Sequence, residues 1–441
     1  MLDQWLFKRI DNTSLVVFRI FFGLLLFLES VGAIFTGWIR RTLVEPEFTF
    51  TFIGFEWLQP LPGYGMYFYY AIMGFFGLMV MLGYKYRFAI ISFTIMWTAT
   101  YLMQKTSYNN HYYLLILICG IMALLPANRY HSIDAKQHPE IQSISMPNWC
   151  RWIVIIQLWI VYTYASIAKL YPDWLDHTVA RNLMLRVKKY PIVGELLQSD
   201  WAHYFITYVG IGFDALIIPL LLIKQTRKWA FFASIFFHLF NSIIFQIGIF
   251  PYLSLAFALF FFEPRTIRNI FLKKKELYEG DEVSVANYKK MLVTLGLLYF
   301  SIQIALPLRH HFIKDDVLWT EEGHRMSWRM MLRSKSGYIT FTVIEKETGK
   351  KHVVNLKDYV TKKQMRTVRT KPDVIWQFAQ RLKKEYQAKG IAVKVYADGK
   401  LSVNGRKSRR LVNNEVDLAA VKWNYFSHQD WLLPSDLYPE E

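Results

Sequence analysis

The chain has 441 residues, of which 53% are hydrophobic and 17% aromatic, and its 52 Lys and Arg residues contribute to a formal net charge of +18. This mixture excludes a single soluble domain and favours a membrane part joined to a charged soluble part. Much of the positive charge lies in short loops beside apolar runs, which is typical of cytoplasmic anchoring, so no nucleic-acid partner is expected.

Apolar runs that could cross a bilayer recur along the chain up to about residue 308. They predict a polytopic α-helical membrane domain over residues 1–308, with about nine spans. The first run has no convincing small-residue cleavage site, so we expect a span there and not a signal peptide. The fourth and eighth runs are short for a span. The predicted spans cover about residues 14–37, 65–83, 88–104, 111–126, 150–170, 202–223, 227–247, 249–262 and 290–308.

Basic residues precede the first predicted span and occupy every second loop after it. With nine spans, all these segments lie on one side of the membrane, which the positive-inside rule assigns to the cytoplasm. An eight-span count would put the last basic cluster or the C-terminal part on the wrong side. The N-terminus is therefore predicted to be cytoplasmic, whereas Lys169, the loop 105–110 and the chain after about residue 309 are predicted to be non-cytoplasmic. The basic residues are Lys8, Arg9, Lys85, Arg87, Arg129, Lys136, Arg151, Lys224, Arg227, Lys228, Arg265, Arg268, Lys273, Lys274 and Lys275.

Two amides and a histidine open the fourth predicted span, at Asn109, Asn110 and His111. Helix capping together with an interfacial aromatic belt is one explanation, and it suits Asn109. It accounts less well for Asn110 and His111, which lie on the same predicted side of the membrane as Lys169. Amide and imidazole groups could bind the oxygens of a quinone-like ring or stabilise a carboxylate as it forms.

The fifth predicted span ends in Lys169, and Pro172 should stop the helix just behind this lysine. A lysine at the end of an apolar run must be neutral, paired or in contact with water. One interpretation is a snorkelling lysine at the membrane boundary, with Asp173 as its partner. The other is a base held in low-dielectric surroundings, where a lipid-soluble substrate can reach it. The amphipathic segment 171–200 is expected to lie in the membrane interface.

His238 and Asn241 are three residues apart within the seventh predicted span. Polar residues in spans usually face the bundle interior and form hydrogen bonds between helices. Lining a cofactor-binding cavity is the alternative role for this pair. His310, His311 and His324 show no metal-binding spacing, so no metal is expected.

Residues 309–441 are highly charged and are predicted to form a separate soluble domain that can bury its own core. β-type runs on both sides of a helix pattern favour an α+β domain or a β-sandwich. Ala397-Asp398-Gly399 separates two β-type runs and predicts a hairpin. The predicted β-type runs are Tyr338–Ile344, His352–Leu356, Ile391–Tyr396 and Leu401–Val403, and the predicted helix is Pro372–Lys389.

Six stretches of the chain, taken in order, resemble the vitamin K-dependent γ-glutamyl carboxylase family, in the form of its shorter bacterial members with an HTTM domain. The resemblance extends over nearly the whole sequence. The stretches are Phe18–Leu24, Lys105–His111, Ala127–Asp134, Lys169–Trp174, Phe237–Ser242 and Ser327–Ser334.

The resemblance implies a membrane enzyme with reduced vitamin K as cofactor and O₂ and CO₂ as co-substrates, acting on a glutamate-containing peptide or protein. Lys169 corresponds to the family's base, which deprotonates vitamin K hydroquinone. Oxygenation to the epoxide then drives removal of a glutamate γ-proton and capture of CO₂. Asn109, Asn110 and His111 correspond to the family's Asn-Asn-His motif, with Asn110 near the vitamin K and His111 assisting carboxylation.

The family's glutamate-binding region corresponds to Trp328, Met330 and Met331, with Arg333 beside them. Arg333 stands where the animal enzymes have a histidine, and Arg329 stands where they have an acidic residue. Vitamin K epoxidation without efficient carboxylation is therefore an alternative. A third hypothesis is a non-catalytic quinone-binding or lipid-binding membrane protein, or a transporter. The lack of an internal repeat and the polar groups predicted at one face favour the enzyme.

Overall fold

The computed structural model of this protein describes residues 2–285 and 287–437, so the last residues of the predicted C-terminal domain lie outside the described part. Each of the nine predicted spans contains a helix. The helices are α1 (Leu2–Phe7), α2 (Thr13–Phe35), α3 (Gly65–Leu82), α4 (Tyr86–Met103), α5 (Asn110–Leu124), α6 (Ile133–Gln137), α7 (Trp149–Ile167), α8 (Pro172–Leu175), α9 (Thr178–Met184), α10 (Val193–Leu196), α11 (Asp200–Leu222), α12 (Arg227–Phe245), α13 (Phe250–Phe257), α14 (Pro264–Phe271), α15 (Lys289–Leu308), α16 (Val317–Thr320), α17 (Lys362–Val368) and α18 (Pro372–Ala388).

Six helical segments of the described chain are long and apolar enough to cross a membrane. Two further apolar helices, Asn110–Leu124 and Phe250–Phe260, are shorter. The protein is therefore mostly helical, with a substantial membrane-spanning part, and the count of nine crossings stays a prediction. The six segments are α2, α3, α7, α11, α12 and Lys289–Phe312.

Glycines allow α2 and α3 to approach each other closely. A Cβ atom on Gly77 would lie 2.7 Å from the backbone nitrogen of Phe27, and one on Gly23 would collide with the backbone of Met81. Small residues permit such backbone contact between helices in a membrane, where apolar side chains gain little from leaving lipid. On another side of the bundle α7 packs against α11. That contact brings the end of α7 close to the middle of α11.

The C-terminal domain contains one antiparallel sheet in the order β4-β3-β5-β6, covered by α18. Buried and exposed residues alternate along β5 because successive side chains of a strand point to opposite faces. This arrangement corresponds to the α+β alternative. A separate two-stranded ribbon, β1 with β2, joins the chain before α2 to the chain before α7. The strands are β1 (Arg9–Asp11), β2 (Ser145–Pro147), β3 (Lys335–Glu345), β4 (Lys351–Val354), β5 (Val393–Val403) and β6 (Arg409–Arg410).

The predicted hairpin at Ala397-Asp398-Gly399 is wrong. These residues lie inside β5, which pairs with β3 along its full length, and Gly399 is opposite Ile339. A Cβ atom on Gly399 would lie 2.8 Å from the carbonyl oxygen of Tyr338. The glycine therefore permits a close approach between strands instead of a turn.

The C-terminal domain docks on the membrane bundle through buried charges. Lys105 Nζ lies 2.8 Å from Asp373 Oδ2, and Arg325 donates to both carboxylate oxygens of Asp373. Burial lowers the pKa of Lys105 to about 8, although Asp373 opposes this shift. A second contact joins Asn404 Nδ2 to Asp173 Oδ2 at 2.9 Å. Both contacts lie where α4, α5 and α7 end or begin, which brings the domain over that end of the bundle.

Candidate functional site

Lys169 follows the C-terminal end of α7 and its side chain is buried, with 7% of the residue exposed. Its Nζ donates a hydrogen bond to Asp214 Oδ2, and it lies 5.6 Å from the centre of the Trp174 ring. The amine is therefore largely shielded from solvent and paired with an acid, and its position does not support the snorkelling interpretation. Asp173 as the partner of Lys169 is wrong.

Asp173 is the second residue of α8, beyond the end of α7, and its partners lie in the C-terminal domain. Its carboxylate accepts hydrogen bonds from Arg406 Nε, at 3.0 Å, and from Asn404. Both donors belong to the C-terminal domain. Asp173 thus helps to dock that domain, and Asp214 is the acid that neutralises Lys169.

Asp214 was missed by the sequence analysis. It is buried on α11, and it is the only acidic residue between Trp201 and Ile223. A lone ionisable residue inside an apolar span is expensive and is by default a candidate functional residue. That signal was available in the sequence. The pairing of Asp214 with Lys169 could not be predicted from the sequence, because it depends on the packing of α7 against α11.

Asn109 and Asn110 have different surroundings in the structure. Asn109 caps α5, because its Oδ1 accepts a hydrogen bond from the Tyr112 N–H at 2.8 Å. Asn110 is buried and donates from Nδ2 to the Arg329 carbonyl at 3.1 Å, while its Oδ1 accepts from the Tyr108 hydroxyl at 2.7 Å. The beginning of α5 is thereby fastened to the segment that contains Arg329.

His111 and His238 both pack against one aromatic ring, that of Phe250. The His111 ring stacks on Phe250 with 3.8 Å between centroids, and the His238 ring lies 6.2 Å from Phe250 with its edge towards it. Among the described residues, the buried Nδ1 of His111 has no hydrogen-bond partner. His238 Nε2 is 3.1 Å from the Tyr162 hydroxyl. Asn241, on the same helix, is partly buried.

Tyr162 lies between the Lys169–Asp214 pair and the two histidines. Its hydroxyl contacts His238, and it lies within range of electrostatic interaction with Asp214. His238 interacts in the same way with His111. The structure therefore pairs Lys169 with Asp214 and Tyr162 with His238, and His111 shares an aromatic neighbour with His238. Of these five, Asp214 and Tyr162 were not candidates from the sequence.

Trp328, Met330 and Met331 lie on an irregular segment that covers the beginning of α5. The Trp328 ring is buried and stacks on Tyr113 with 5.1 Å between centroids. Met326, Trp328 and Met331 all have positive φ angles, between 55° and 57°. Bulky residues rarely adopt this conformation, and each instance costs about 1–3 kcal/mol. Surrounding contacts must therefore hold this segment in place, as is common beside functional sites.

Arg333 is engaged in an ion pair. Its Nε lies 2.7 Å from Glu321 Oε1, and Lys335 Nζ is at the same distance from that oxygen. Burial alone would raise the pKa of Glu321, but Arg333 and Lys335 hold that pKa well below its ordinary range. The charge of Arg333 is thus balanced within the C-terminal domain.

A cleft of about 490 Å³ opens beside Lys169. Ala168, Leu170 and Tyr171 line one wall, and His310 and Arg329 line another. The Tyr171 hydroxyl donates to the Leu332 carbonyl, which fixes the chain after Lys169 against the irregular segment. Among residues 2–285 and 287–437, no cluster of three or more His, Cys, Asp or Glu side chains is arranged to hold a metal ion.

Comparison with known families gives two matches. Residues 7–265 match the HTTM domain, and residues 288–437 match the vitamin K-dependent gamma-carboxylase lumenal domain. No solved structure gives a significant match to this chain. The lumenal-domain match and the apolar helices indicate an integral membrane protein with a non-cytoplasmic domain. The chain belongs to the vitamin K-dependent γ-carboxylase family, with an HTTM domain followed by the family's lumenal domain.

Proposed function

We propose that this protein oxygenates vitamin K hydroquinone to the epoxide and couples this reaction to γ-carboxylation of glutamate in a peptide, with O₂ and CO₂ as co-substrates. The observation that carries the proposal is the Lys169 amine, buried at the end of α7 and held by Asp214. A lysine that acts as a base must be shielded from water and still able to lose its proton.

The polar groups near Lys169 fit a quinone-type ring. The His111 Nδ1 is buried without a partner among the described residues, so it can form a hydrogen bond to a ligand. We propose that Asn109, Asn110, His238 and Asn241 bind the cofactor around it. Bound vitamin K hydroquinone supplies the phenolic proton and the electrons that O₂ accepts. The lipid-facing helices give a prenyl tail direct access from the bilayer.

Asp214 provides a way to make the Lys169 amine neutral. Transfer of the ammonium proton to the carboxylate leaves two uncharged groups, so the net charge of the buried pair does not change. The neutral amine can then accept a proton from a phenolic hydroxyl. Trp174 beside the amine keeps water from one side of it, which suits a site that must protect a strong base.

A direct assay tests this function. The purified protein, incubated with vitamin K hydroquinone and O₂, is expected to form the epoxide, and Lys169→Ala is expected to abolish the product. Absence of epoxide from the unaltered protein would favour the non-catalytic quinone-binding or lipid-binding hypothesis. Undiminished epoxide from Lys169→Ala would show that another group is the base.

Epoxidation without efficient carboxylation is the second candidate function. The observation in its favour is the ion pair between Arg333 and Glu321, because Arg333 stands where animal family members have a histidine. Incorporation of ¹⁴CO₂ into a glutamyl peptide, measured beside epoxide, separates the two candidates. Epoxide with no labelled peptide supports the second.

We also propose the topology in which the helices of all nine predicted spans cross the membrane and the N-terminus is cytoplasmic. This topology places Lys169 and the C-terminal domain on the non-cytoplasmic side. The domain, with a boundary near residue 308, then presents the peptide to the site through Trp328, Met330, Met331 and Arg333.

A further inference from the structure

The cleft beside Lys169 contains a half-buried arginine, Arg329, which forms no ion pair with a carboxylate among the described residues. Among the described residues, no acidic oxygen lies within 4.0 Å of its guanidinium nitrogens. Its Nε is buried and has no hydrogen-bond partner there. A guanidinium with an unused N–H in a cleft is suited to a planar anion, since it can donate two parallel hydrogen bonds to a carboxylate.

In the described part of the chain, the side chain that is hydrogen-bonded to the Arg329 guanidinium is a neutral acceptor. Arg329 Nη1 lies 3.3 Å from His310 Nε2. His310 Nδ1 lies 2.8 Å from the Pro307 carbonyl, so its proton belongs on Nδ1 and its Nε2 accepts from the arginine. This contact orients the guanidinium without neutralising it.

Within the described part of the chain the acids of the same cleft form no ion pair with Arg329, although Asp316 is near enough to interact with its charge. Asp316 Oδ1 accepts from the Leu318 N–H at 2.6 Å, and Asp315 Oδ2 accepts from the Ser435 N–H at 2.9 Å. Arg333, the neighbouring cation, is paired with Glu321. Arg329 thus differs from Arg333, because its charge faces the cleft without an ion-pair partner.

The backbone of Arg329 is fastened to the candidate active site. Its carbonyl accepts the hydrogen bond from Asn110, and the cleft that it lines includes the residues on both sides of Lys169. A carboxylate bound to the guanidinium would therefore lie in the cleft that Ala168 and Leu170, the neighbours of Lys169, also line.

We propose that Arg329 anchors the side-chain carboxylate of a peptide glutamate in this cleft. This assignment rests on the proposed function, since it names the residue that would select the acidic substrate. It also explains how the chain can bind a glutamyl side chain although Arg333 is occupied by Glu321. Loss of two parallel charge-assisted hydrogen bonds is expected to weaken binding at least about tenfold, which is equivalent to about 1.4 kcal/mol.

Binding of a fluorescein-labelled glutamyl peptide to the full-length protein in detergent tests the assignment without any turnover. The peptide is expected to bind at least about tenfold more tightly than the same peptide with glutamine. Arg329→Gln should remove this preference, and Arg329→Lys should retain part of it. Lys407→Gln, which neutralises an exposed lysine of the same domain, should leave binding unchanged.

Equal binding of the two peptides to the unaltered protein, or an unchanged preference in Arg329→Gln, would overturn the assignment. Displacement of the peptide by an equal concentration of inorganic phosphate would also contradict it, because the site would then be a general anion site. If Arg329→Gln does not fold, the assignment is still tested by comparing the glutamyl and glutamine peptides on the unaltered protein and on Arg329→Lys. Absence of epoxide in the separate assay bears on the proposed function alone.

Discussion

Lys169 and Asp214 stabilise each other's charge in a low-dielectric environment. Taking one charge out of a buried pair typically costs about 3–5 kcal/mol, whereas replacing both partners by apolar residues is often neutral. Because of this difference, a single and a double substitution can distinguish the contribution of the pair to stability from its contribution to catalysis.

We therefore expect Lys169→Met to lower the melting temperature in detergent, because the Asp214 carboxylate loses its cation. The double variant Lys169→Met with Asp214→Leu should recover most of that stability and still form no epoxide. Lys228→Met, at an exposed position in the first turn of α12, serves as the control for removal of a lysine. A double variant no more stable than the single one would contradict the pairing.

The sequence singled out Lys169 as a candidate, and the partner that its snorkelling interpretation offered, Asp173, is the wrong acid. Asp173 is four residues away along the chain and was chosen for that proximity, whereas Asp214 lies 45 residues away on another helix. Local sequence patterns indicate which residues are unusual in an apolar run. They do not report which helices pack together, so partners across the bundle could not be predicted.

The helices and strands themselves followed the sequence closely, because apolar runs and capping residues are local signals. The exceptions arise where tertiary contacts override them. Asp398-Gly399 has the composition of a turn, yet pairing with β3 keeps it extended. The positive φ angles of Trp328 and Met331 also have no local signature, since both residues disfavour that conformation.

The contact between α2 and α3 should depend on Gly77. Gly77→Leu would drive a side chain into the backbone of Phe27, and overpacking of this kind costs about 1–3 kcal/mol. We expect a lower melting temperature in detergent for this variant. The matched control is Gly32→Leu on α2, where a Cβ atom meets nothing within 4 Å. Equal effects from both substitutions would count against the close helix contact.

Docking of α18 on the bundle should weaken in acid. Burial alone would raise the pKa of Asp373, but Arg325 and Lys105 hold it below its ordinary range. A carboxyl whose pKa falls on folding contributes stability above its unfolded value, about pH 4, and this contribution is lost as the pH falls through the folded pKa. Asp373→Asn should therefore lower the melting temperature at pH 7.

Between pH 5 and pH 3, Asp373→Asn should lose less stability than the unaltered protein. The variant lacks the Asp373 carboxyl, whose protonation favours the unfolded state. Thermal unfolding followed by tryptophan fluorescence measures both effects. Asp398→Asn, which removes a half-exposed partner of Arg410, should leave the pH dependence almost unchanged. A steeper acid loss in Asp373→Asn would contradict the assigned sign.

The whole molecule is expected to place its basic loops and its C-terminal domain on opposite sides of the membrane. Single cysteines introduced at Lys228 and Lys407 test this, because the native Cys119 and Cys150 are buried. A membrane-impermeant maleimide should label position 407 only from the non-cytoplasmic side and position 228 only from the cytoplasmic side. Labelling of both positions from one side would contradict the proposed topology.

The separation of Lys169 and Asp214 along the chain also has a consequence for biosynthesis. Ribosomes add about 5–20 residues per second, so the lysine of α7 emerges roughly 2–9 s before the aspartate of α11 that neutralises it, given their separation of 45 residues. During that interval α7 enters the translocation machinery with an unpartnered cation at its end. Arrival of α11 is then the event that pairs this cation, and a nascent chain arrested between the two residues would remain a target for membrane quality control.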